Sequence, residues 1–194
     1  MARLIRPFAG ERAQLVAKAL IQEFGTLGNV LEASPHRLGH LLPDDRNIVE
    51  QIVAARNLVH IGLKQRVDGR PVRPDDAAMH DYLRNRLGNS AEERLAAVYV
   101  AASGHFLADD IVGVGCNASI SVCMRTLFRR AFDLGANALL LAHNHPSGKL
   151  APSALDVVNT RRLQSVARSL NIVLIDHLII TAAGAFSMMS DRVL

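Results

Sequence analysis

The chain has 194 residues, of which 49% are hydrophobic and 21% are charged, and its formal net charge is +4. This composition excludes a wholly disordered chain, because it supplies enough apolar side chains to form a core. No apolar run reaches the roughly 18 to 20 residues that a membrane-spanning helix needs, so a membrane protein is excluded as well. The first residues lack the apolar stretch of a signal peptide, and Cys116 and Cys123 are the only cysteines. We therefore expect a reduced, cytoplasmic protein.

The first part of the chain has the pattern of a small helical domain. Residues 10–24 place apolar side chains at intervals of three and four, which predicts a helix that ends at Gly25. Further helices are expected at 27–32, from the Ser-Pro pair at 34–35, and after the acidic pair at 44–45, where the helix dipole favours negative charge. We assign residues 1–65 to this all-α domain.

A linker is predicted at residues 66–76, which contain two prolines, one glycine and six charges. The excess of positive charge lies in the first part of the chain, because residues 1–74 carry 11 basic and 7 acidic side chains and the remainder is balanced. A basic half can indicate contact with nucleic acid. The excess is mild and contains no basic block, which favours an ordinary solvated surface.

The rest of the chain, residues 77–194, is predicted to be a second domain with a sheet. A helix at 77–87 leads into it, and apolar runs bounded by glycines at 95–102 and 106–114 predict two strands. The run at 138–142 is too short for a helix and is typical of a buried central strand. The remaining predictions are helices at 119–134 and 153–170 and strands at 172–181 and 185–189. The order β-β-α-β-α-β-β predicts an α/β sandwich with mixed strand pairing.

The candidate chemistry follows the predicted central strand. His143 and His145 are two residues apart at the end of that strand, so their side chains point to the same side. Asp156 lies in the first turn of the next predicted helix, which the turn-rich segment between them can bring back beside the strand. Two imidazoles and one carboxylate are a typical catalytic zinc set that leaves a fourth position for water.

Both features also have a purely structural interpretation. A His-x-His pair by itself is more often not a metal site, and Ser153 three residues before Asp156 is also the pattern of a helix N-cap with an acidic residue at the third helical position. The two features together, with His145 and Asp156 separated by 11 positions, are more specific than either feature alone.

The spacing His-x-His, seven residues, Ser, two residues, Asp resembles the signature of the JAMM zinc metalloproteases, also called the MPN+ or JAB family. The finer sequence HNHPSG followed by PS-x-x-D resembles the bacterial RadC branch of that family. Further similarities lie at Ile175–Ile180 (IDHLII), Phe186-Ser187, Gly115-Cys116-Asn117 and Arg125. The resemblance covers about residues 77–190. It implies an α/β fold with a JAB/MPN-type mixed sheet sandwiched by helices, similar to cytidine deaminases, preceded by a small all-α domain.

The resemblance also implies a role for each candidate residue in amide hydrolysis. His143, His145 and Asp156 would bind one zinc ion per chain, which lowers the pKa of bound water. Glu93 stands where the family has a glutamate before its first strand, and it would accept the proton of that water and pass it to the leaving amine. Ser153 would donate a hydrogen bond to the oxyanion.

The remaining candidates have weaker expectations. Glu92 would replace Glu93 if the register shifted by one residue. Four residues are candidates for orienting the ligands without binding the metal: Asn144, Ser147, Asp176 and His177. The first two also suit a turn, and the last two suit structural hydrogen bonds within a sheet. Cys116 with His177 would suggest a cysteine hydrolase, which the residues around Cys116 do not favour.

Residues 1–65 resemble the helical N-terminal region of the same family, notably at 15–31. Relatives have a Gly-x-Gly turn of a helix-hairpin-helix element where this chain has LLPDD at 41–45, and an acidic turn repels phosphate. The first domain is thus predicted to be a degenerate version of that element, and nucleic acid is a weakly supported partner.

The expected function is that of a zinc-dependent metallohydrolase that cleaves a peptide or isopeptide bond in a peptide or protein conjugate. The alternative is a DNA-associated protein, linked to repair or recombination, whose metal site is structural or inactive. The complete Glu/His/His/Ser/Asp set favours the enzyme, because a structural zinc site is usually closed by a fourth protein ligand.

Overall fold

Two units make up the structure, residues 1–62 and residues 63–194. It is a computed structural model that describes residues 1–88, 92–115 and 122–194. None of the helices in these ranges is long and apolar enough to cross a membrane. The motif residues Cys116 and Asn117 lie outside the described residues. The cysteine-hydrolase alternative depends on Cys116 and so falls outside them too.

The first unit is helical. Thr26 and Ser34 accept backbone N–H bonds from Asn29 and Arg37, which caps two short helices, and Pro35 occupies the first turn of the second. Buried apolar side chains from every helix form one core, including Ile5, Leu20, Val30, Leu38, Ile48 and Ile52. The elements are α1 (Ala2–Ala9), a 3₁₀ turn (Gly10–Arg12), α2 (Ala13–Phe24), α3 (Leu27–Glu32), α4 (Pro35–Leu41) and α5 (Arg46–Val67), whose last residues belong to the second unit.

The acidic turn of the first unit is partly neutralised. Arg12 reaches Asp45 with both terminal nitrogens, at 2.6 and 3.2 Å. The sequence predicted repulsion of phosphate from the two carboxylates at 44–45. One of these carboxylates is therefore already occupied by an internal ion pair.

The second unit contains a six-stranded sheet with the order β2-β1-β3-β4-β5-β6. Only β3 and β4 pair in parallel among the pairs described, and the other neighbours are antiparallel. The mixed α/β fold and the predicted order of strands and helices are confirmed, with a two-residue strand added at the end. The elements are α6 (Ala77–Leu87), β1 (Glu93–Val100), β2 (Phe106–Gly115), α7 (Met124–Asp133), β3 (Ala138–Asn144), α8 (Ala154–Ser169), β4 (Val173–Thr181), β5 (Gly184–Ser187) and β6 (Arg192–Val193).

Helices cover both faces of this sheet. On one face, α6 buries Met79, Tyr82 and Leu83 in a core that also contains alternate residues of β1, β3 and β4. On the other face, α7 and α8 pack Leu127 and Leu163 against the intervening strand residues. The strands β1 and β3 are buried on both sides, which is why they read as continuous apolar runs in the sequence. The candidate site lies on the face covered by α7 and α8.

The segment 66–76, which has the composition of a linker, packs on the second unit. Val67 and Val72 are buried in its core, and the Val72 N–H donates to the Gly104 carbonyl at 2.8 Å. Pro71 forms an isolated bridge with His105. The prolines and charges of segment 66–76 end the regular structure of α5. Its two buried valines nevertheless hold the segment against the sheet.

Candidate metal centre

Three side chains with metal-binding atoms converge where β3 ends and α8 begins. His143 is the last but one residue of β3, and His145 follows the strand directly. Asp156 is the third residue of α8. One ligand atom from each lies within 4.8 Å of the others. The alternation of strand side chains thus brings both imidazoles to one side, as predicted.

The distances within this group suit a single small cation. The Nε2 atoms of His143 and His145 are 2.9 Å apart, and they lie 3.6 and 3.5 Å from the nearest carboxylate oxygens of Asp156. Ligands at zinc-bond lengths in a tetrahedral arrangement stand about 3.3 to 3.4 Å from one another. The donor set and its spacing therefore fit a metal ion held by two nitrogens and one oxygen.

The turn after β3 fixes which nitrogen of His145 faces the group. Its Nδ1 lies 2.7 Å from the Lys149 carbonyl oxygen. A carbonyl only accepts, so Nδ1 carries the hydrogen and the neutral ring presents the lone pair of Nε2 to the metal position. Ser147 accepts the Lys149 N–H, and Gly148 has a φ of 73°, which favours glycine. Ser147 thus shapes the turn, as expected.

Asp156 serves the helix and the candidate metal site at once. Its Oδ2 accepts the backbone N–H and the hydroxyl of Ser153, at 2.8 and 2.7 Å, and its own N–H donates to the Ser153 oxygen at 3.1 Å. This is a complete capping box at the start of α8. The Ser-x-x-Asp pattern thus forms the helix cap through Oδ2, while Oδ1 is the carboxylate oxygen nearest His143 Nε2, so the capping role leaves the carboxylate directed at the histidines.

The charges of this group support one another. Partial burial acts to raise the pKa of the Asp156 carboxyl, but hydrogen bonds with His143, His145 and Ser153 outweigh it and hold that pKa far below its usual range. The hydrogen bond with Asp156 is the main cause that raises the pKa of His145. Asp156 is thus an ionised carboxylate, as a metal ligand must be.

Glu93 lies on the site face of the sheet. Leu95 pairs directly with His143 across the β1–β3 ladder, and Glu93 is two residues earlier on the same face. Its negative charge contributes to the raised pKa of His145. Glu92 lies outside the strand and is exposed, whereas Glu93 is the first residue of β1 and is partly buried.

Asn144 holds the backbone on both sides of Glu93. Its carbonyl oxygen accepts the Arg94 N–H at 2.7 Å, and its amide donates to the Glu92 carbonyl at 3.1 Å. The sequence analysis expected Asn144 to shape a turn. It connects two strands instead, because it points to the face of β3 opposite to the two histidines.

Two further side chains continue the group into the protein interior. His143 Nδ1 lies 2.9 Å from His177 Nε2, and His177 Nδ1 lies 2.6 Å from the hydroxyl of Thr160. All three residues are buried. Burial is the first cause that lowers the pKa of His177, to about 3, so this ring is neutral.

Asp176, the other residue of the Asp-His pair, faces away from the candidate metal position. Its carboxylate accepts the Ser187 hydroxyl at 2.6 Å and the backbone N–H groups of His177 and Met189 at 2.7 and 3.2 Å. The Asp-His and Phe-Ser motifs are therefore joined by one hydrogen bond. Asp176 fixes the end of the sheet, which is the structural role the sequence analysis left open.

Thr160 is the site residue that the sequence analysis missed. A threonine inside a helix carries little signal, because its hydroxyl commonly bonds to its own backbone. The available signal is its spacing, since Thr160 lies four residues after Asp156 and so shares its face of α8.

A cavity of about 280 Å³ opens beside the group. Polar and apolar residues line it in equal number, and the polar ones are His143, Asp156, Asn159, Thr160, Arg162 and His177. The apolar residues include Leu95, Val122, Met124, Leu141, Leu155 and Leu163.

Comparisons with known proteins agree with the motifs. The family model described as RadC-like JAB domain matches residues 74–193. A UPF0758 protein of Rhodobacter capsulatus is 29% identical over 191 residues, which cover 98% of this chain and 89% of that protein. A UPF0758 protein of Carboxydothermus hydrogenoformans is 29% identical over 184 residues, 94% of this chain and 80% of that protein. A UPF0758 protein of Burkholderia mallei is 32% identical over 172 residues, 89% of this chain but only 62% of that protein. The match therefore spans less than two thirds of the Burkholderia relative.

Proposed function

Because this chain belongs to the RadC-like JAB domain family, we propose that it is a zinc-dependent hydrolase that cleaves a peptide or isopeptide bond. The observation that carries the proposal is the convergence of His143, His145 and Asp156 on one face, with Glu93 two residues along that face from the strand partner of His143. A carboxylate beside an open group of three ligands is the arrangement that metal-assisted hydrolysis requires.

The ligand set favours zinc over harder cations. Imidazole nitrogens suit zinc, whereas magnesium and calcium prefer oxygen ligands. When bound, zinc lowers the pKa of water and polarises a carbonyl oxygen. With three protein ligands, a fourth position stays open for water or substrate, which distinguishes a catalytic site from a closed structural one.

Glu93 is proposed to be the general base and acid. Its carboxylate accepts a proton from the attacking water and returns it to the leaving amine. The Asn144 bonds to the two peptide groups around Glu93 fix the backbone from which this side chain extends. Such fixation supports the role, because proton transfer needs a carboxylate held within hydrogen-bond distance.

Ser153 is proposed to stabilise the oxyanion. Its hydroxyl donates to Asp156 in the resting arrangement. The same Asp156 oxygen also accepts the Ser153 backbone N–H, so the carboxylate keeps one donor when the hydroxyl turns toward substrate. A donor that exchanges a carboxylate for a developing oxyanion stabilises the transition state more than the ground state.

The substrate is proposed to be a peptide or a protein conjugate. The cavity beside His143 and Asp156 has a volume of about 280 Å³, and six apolar residues, among them Leu95, Leu141 and Leu163, form half of its lining. It suits an apolar side chain next to the bond that is cleaved, because burial of such a side chain supplies binding free energy of about 1.5 to 3 kcal/mol.

The proposal is tested with Glu93→Gln and a peptide mixture. Zinc-loaded protein is incubated with peptides from a digested bacterial proteome and with a set of lysine ε-amide-linked peptides, and new termini are identified by mass spectrometry. We expect cleavage by the unmodified protein, none above background by Glu93→Gln, and the same zinc content in both. The loss expected for removing a general base is about 10² to 10⁴-fold.

The matched control is Glu92→Gln, which removes the neighbouring carboxylate outside the strand. It should cleave at the rate of the unmodified protein. Cleavage by Glu93→Gln at an unchanged rate would contradict the assignment of the base, and absence of bound zinc in the unmodified protein would contradict the proposed function itself.

A further inference from the structure

A chain of three buried polar side chains lies behind the first histidine of the metal group. It runs from His143 Nδ1 to His177 Nε2 over 2.9 Å, and from His177 Nδ1 to Thr160 Oγ1 over 2.6 Å. Each residue is more than nine-tenths buried. Buried polar atoms need partners, so the directions of these hydrogen bonds depend on one another.

Metal binding by His143 requires one direction of this chain. A neutral imidazole binds a metal through the nitrogen without hydrogen, so His143 needs its hydrogen on Nδ1 when Nε2 faces the metal position. That Nδ1–H then donates to His177 Nε2. The hydrogen of His177 is consequently on Nδ1, where it needs an acceptor.

Thr160 is the acceptor that completes the chain. Its hydroxyl oxygen accepts from His177 Nδ1, while its own hydrogen points to the sulfur of Met188 at 3.7 Å. Met188 is held in place by its backbone N–H, which donates to the His177 carbonyl at 3.0 Å. Every hydrogen in the chain therefore has an acceptor when His143 presents its Nε2 lone pair.

We propose that His177 and Thr160 are positioning residues for the metal: they hold His143 in the tautomer and ring orientation that present its Nε2 lone pair to the ion. The proposal rests on the metal-binding part of the proposed function and is independent of the reaction. A neutral imidazole replaces the carboxylate or carbonyl that usually supports a metal-binding histidine. Asp156 is then the only carboxylate among the three candidate ligands and their proposed supporting residues.

The fold places Thr160 and His177 on the two elements that follow His143 in the chain. Thr160 follows Asp156 by one turn of α8, so the same helix supplies a metal ligand and the end of the supporting chain. His177 pairs with Leu141 in the parallel β3–β4 ladder, two residues before His143. The crossover from β3 through α8 to β4 thus places Thr160 and His177 behind His143.

The first test compares Thr160→Val with Thr160→Ser. Valine keeps the branched shape and removes the acceptor, whereas serine keeps the hydroxyl. Zinc affinity is measured by competition with a chromophoric chelator, after circular dichroism has verified that each variant is folded. We expect Thr160→Val to bind zinc about 10-fold to 100-fold more weakly, the range for loss of a residue that supports a ligand. Thr160→Ser should bind within about threefold of the unmodified protein.

Thr181→Val is the matched control. Thr181 is a buried threonine in β4 whose hydroxyl oxygen accepts the Ala183 N–H. Its replacement makes the same chemical change in the same unit, at a hydroxyl that accepts from Ala183 and not from His177. It should leave zinc affinity unchanged, so a decrease equal to that of Thr160→Val would overturn the proposal in favour of a general loss of stability.

A second pair of variants covers the case in which Thr160→Val does not fold. His177→Leu removes the acceptor for His143, and His177→Gln keeps an oxygen that can accept from Nδ1. We expect weaker zinc binding from the first and partial recovery in the second. Imidazole ¹⁵N spectra of the zinc-loaded unmodified protein give an independent readout, with hydrogen on Nδ1 of both His143 and His177.

The outcomes separate the two proposals. If the unmodified protein binds no zinc, the proposed function fails and this inference fails with it. If the unmodified protein binds zinc, and folded Thr160→Val and His177→Leu bind it equally tightly, only the inference is overturned. A spectrum that places the metal on Nδ1 of His143 would also overturn it.

Discussion

At the scale of single residues, the sequence His143-Asn144-His145 divides its work between two faces of one strand. The two histidines face Asp156. Asn144 points the other way and bonds to the peptide groups before and after Glu93. Three consecutive side chains thereby connect the metal ligands to the proposed base. The short range of proton transfer makes such a rigid connection useful.

Replacement of Asn144 by alanine should destabilise the second unit without loss of zinc affinity. It leaves the Arg94 N–H and the Glu92 carbonyl without these bonds, and each lost intramolecular hydrogen bond costs about 0.5 to 1.5 kcal/mol. Urea unfolding with and without zinc measures both effects. Asn137→Ala, at an exposed residue just before β3, is the control and should change stability by less than about 0.5 kcal/mol. An Asn144→Ala protein as stable as Asn137→Ala would contradict the role of the amide.

At the scale of elements, the start of α8 would couple helix formation to the proposed metal binding. The capping box joins Ser153 to Asp156, so the first turn of the helix fixes the carboxylate that faces the histidines. A flexible loop carrying the same aspartate would lose conformational entropy on binding the metal. The helix start has already ordered this residue.

Ser153→Ala should therefore lower both stability and zinc affinity. Loss of an N-cap costs about 0.5 to 2 kcal/mol, and the freed Asp156 side chain should bind zinc several-fold more weakly. Ser34→Ala is the matched control, because Ser34 caps α4 in the same way and no metal ligand lies in that helix. It should lower stability alone. Equal zinc affinity in both variants, measured by chelator competition, would show that the cap does not orient the carboxylate.

Elements with a strong local pattern could be predicted from the sequence, and elements whose limits depend on packing could not. The apolar runs of β1 and β3 and the Ser-x-x-Asp start of α8 each carry their own signal. The first helix was not predicted, because Pro7 lies inside it and interrupts the helical pattern. The helix predicted at 119–134 begins at Met124, and residues 119–121 lie outside the described part of the chain. The two residues of β6 carry no periodicity at all.

The same distinction applies within the site. His143, His145 and Asp156 could be proposed from the sequence because metal ligands have characteristic residue types and spacing, and the structure brings these three together. The support proposed for Thr160 was not found, since it depends on a contact between α8 and β4 with a residue 17 positions away in the chain. Asn144 was found as a candidate, but its partners are about 50 positions away in the chain, so its bonds could not be predicted from neighbouring residues.

At the scale of the whole molecule, the metal group belongs to the second unit alone. Its candidate ligands come from β3, the turn after it and α8, and the residues proposed to support them, His177 and Thr160, come from β4 and α8. An ion bound there would join elements that are distant in sequence, and it would stabilise the folded unit relative to an unfolded chain in which these residues are apart.

Zinc should consequently stabilise the second unit and leave the helices of the first unit unchanged. A ligand that binds only the folded state at 100 times its Kd adds about 2.7 kcal/mol to the free energy of unfolding. Hydrogen exchange followed by mass spectrometry should show slower exchange in β3, α8 and β4 with zinc, reversed by a chelator, and equal exchange in α1 and α2. His143→Ala should show no response to zinc. If zinc slowed exchange in residues 1–62 as much as in β3, α8 and β4, the prediction would be contradicted. The ion would then stabilise the chain in some other way than by joining the end of β3 to the start of α8.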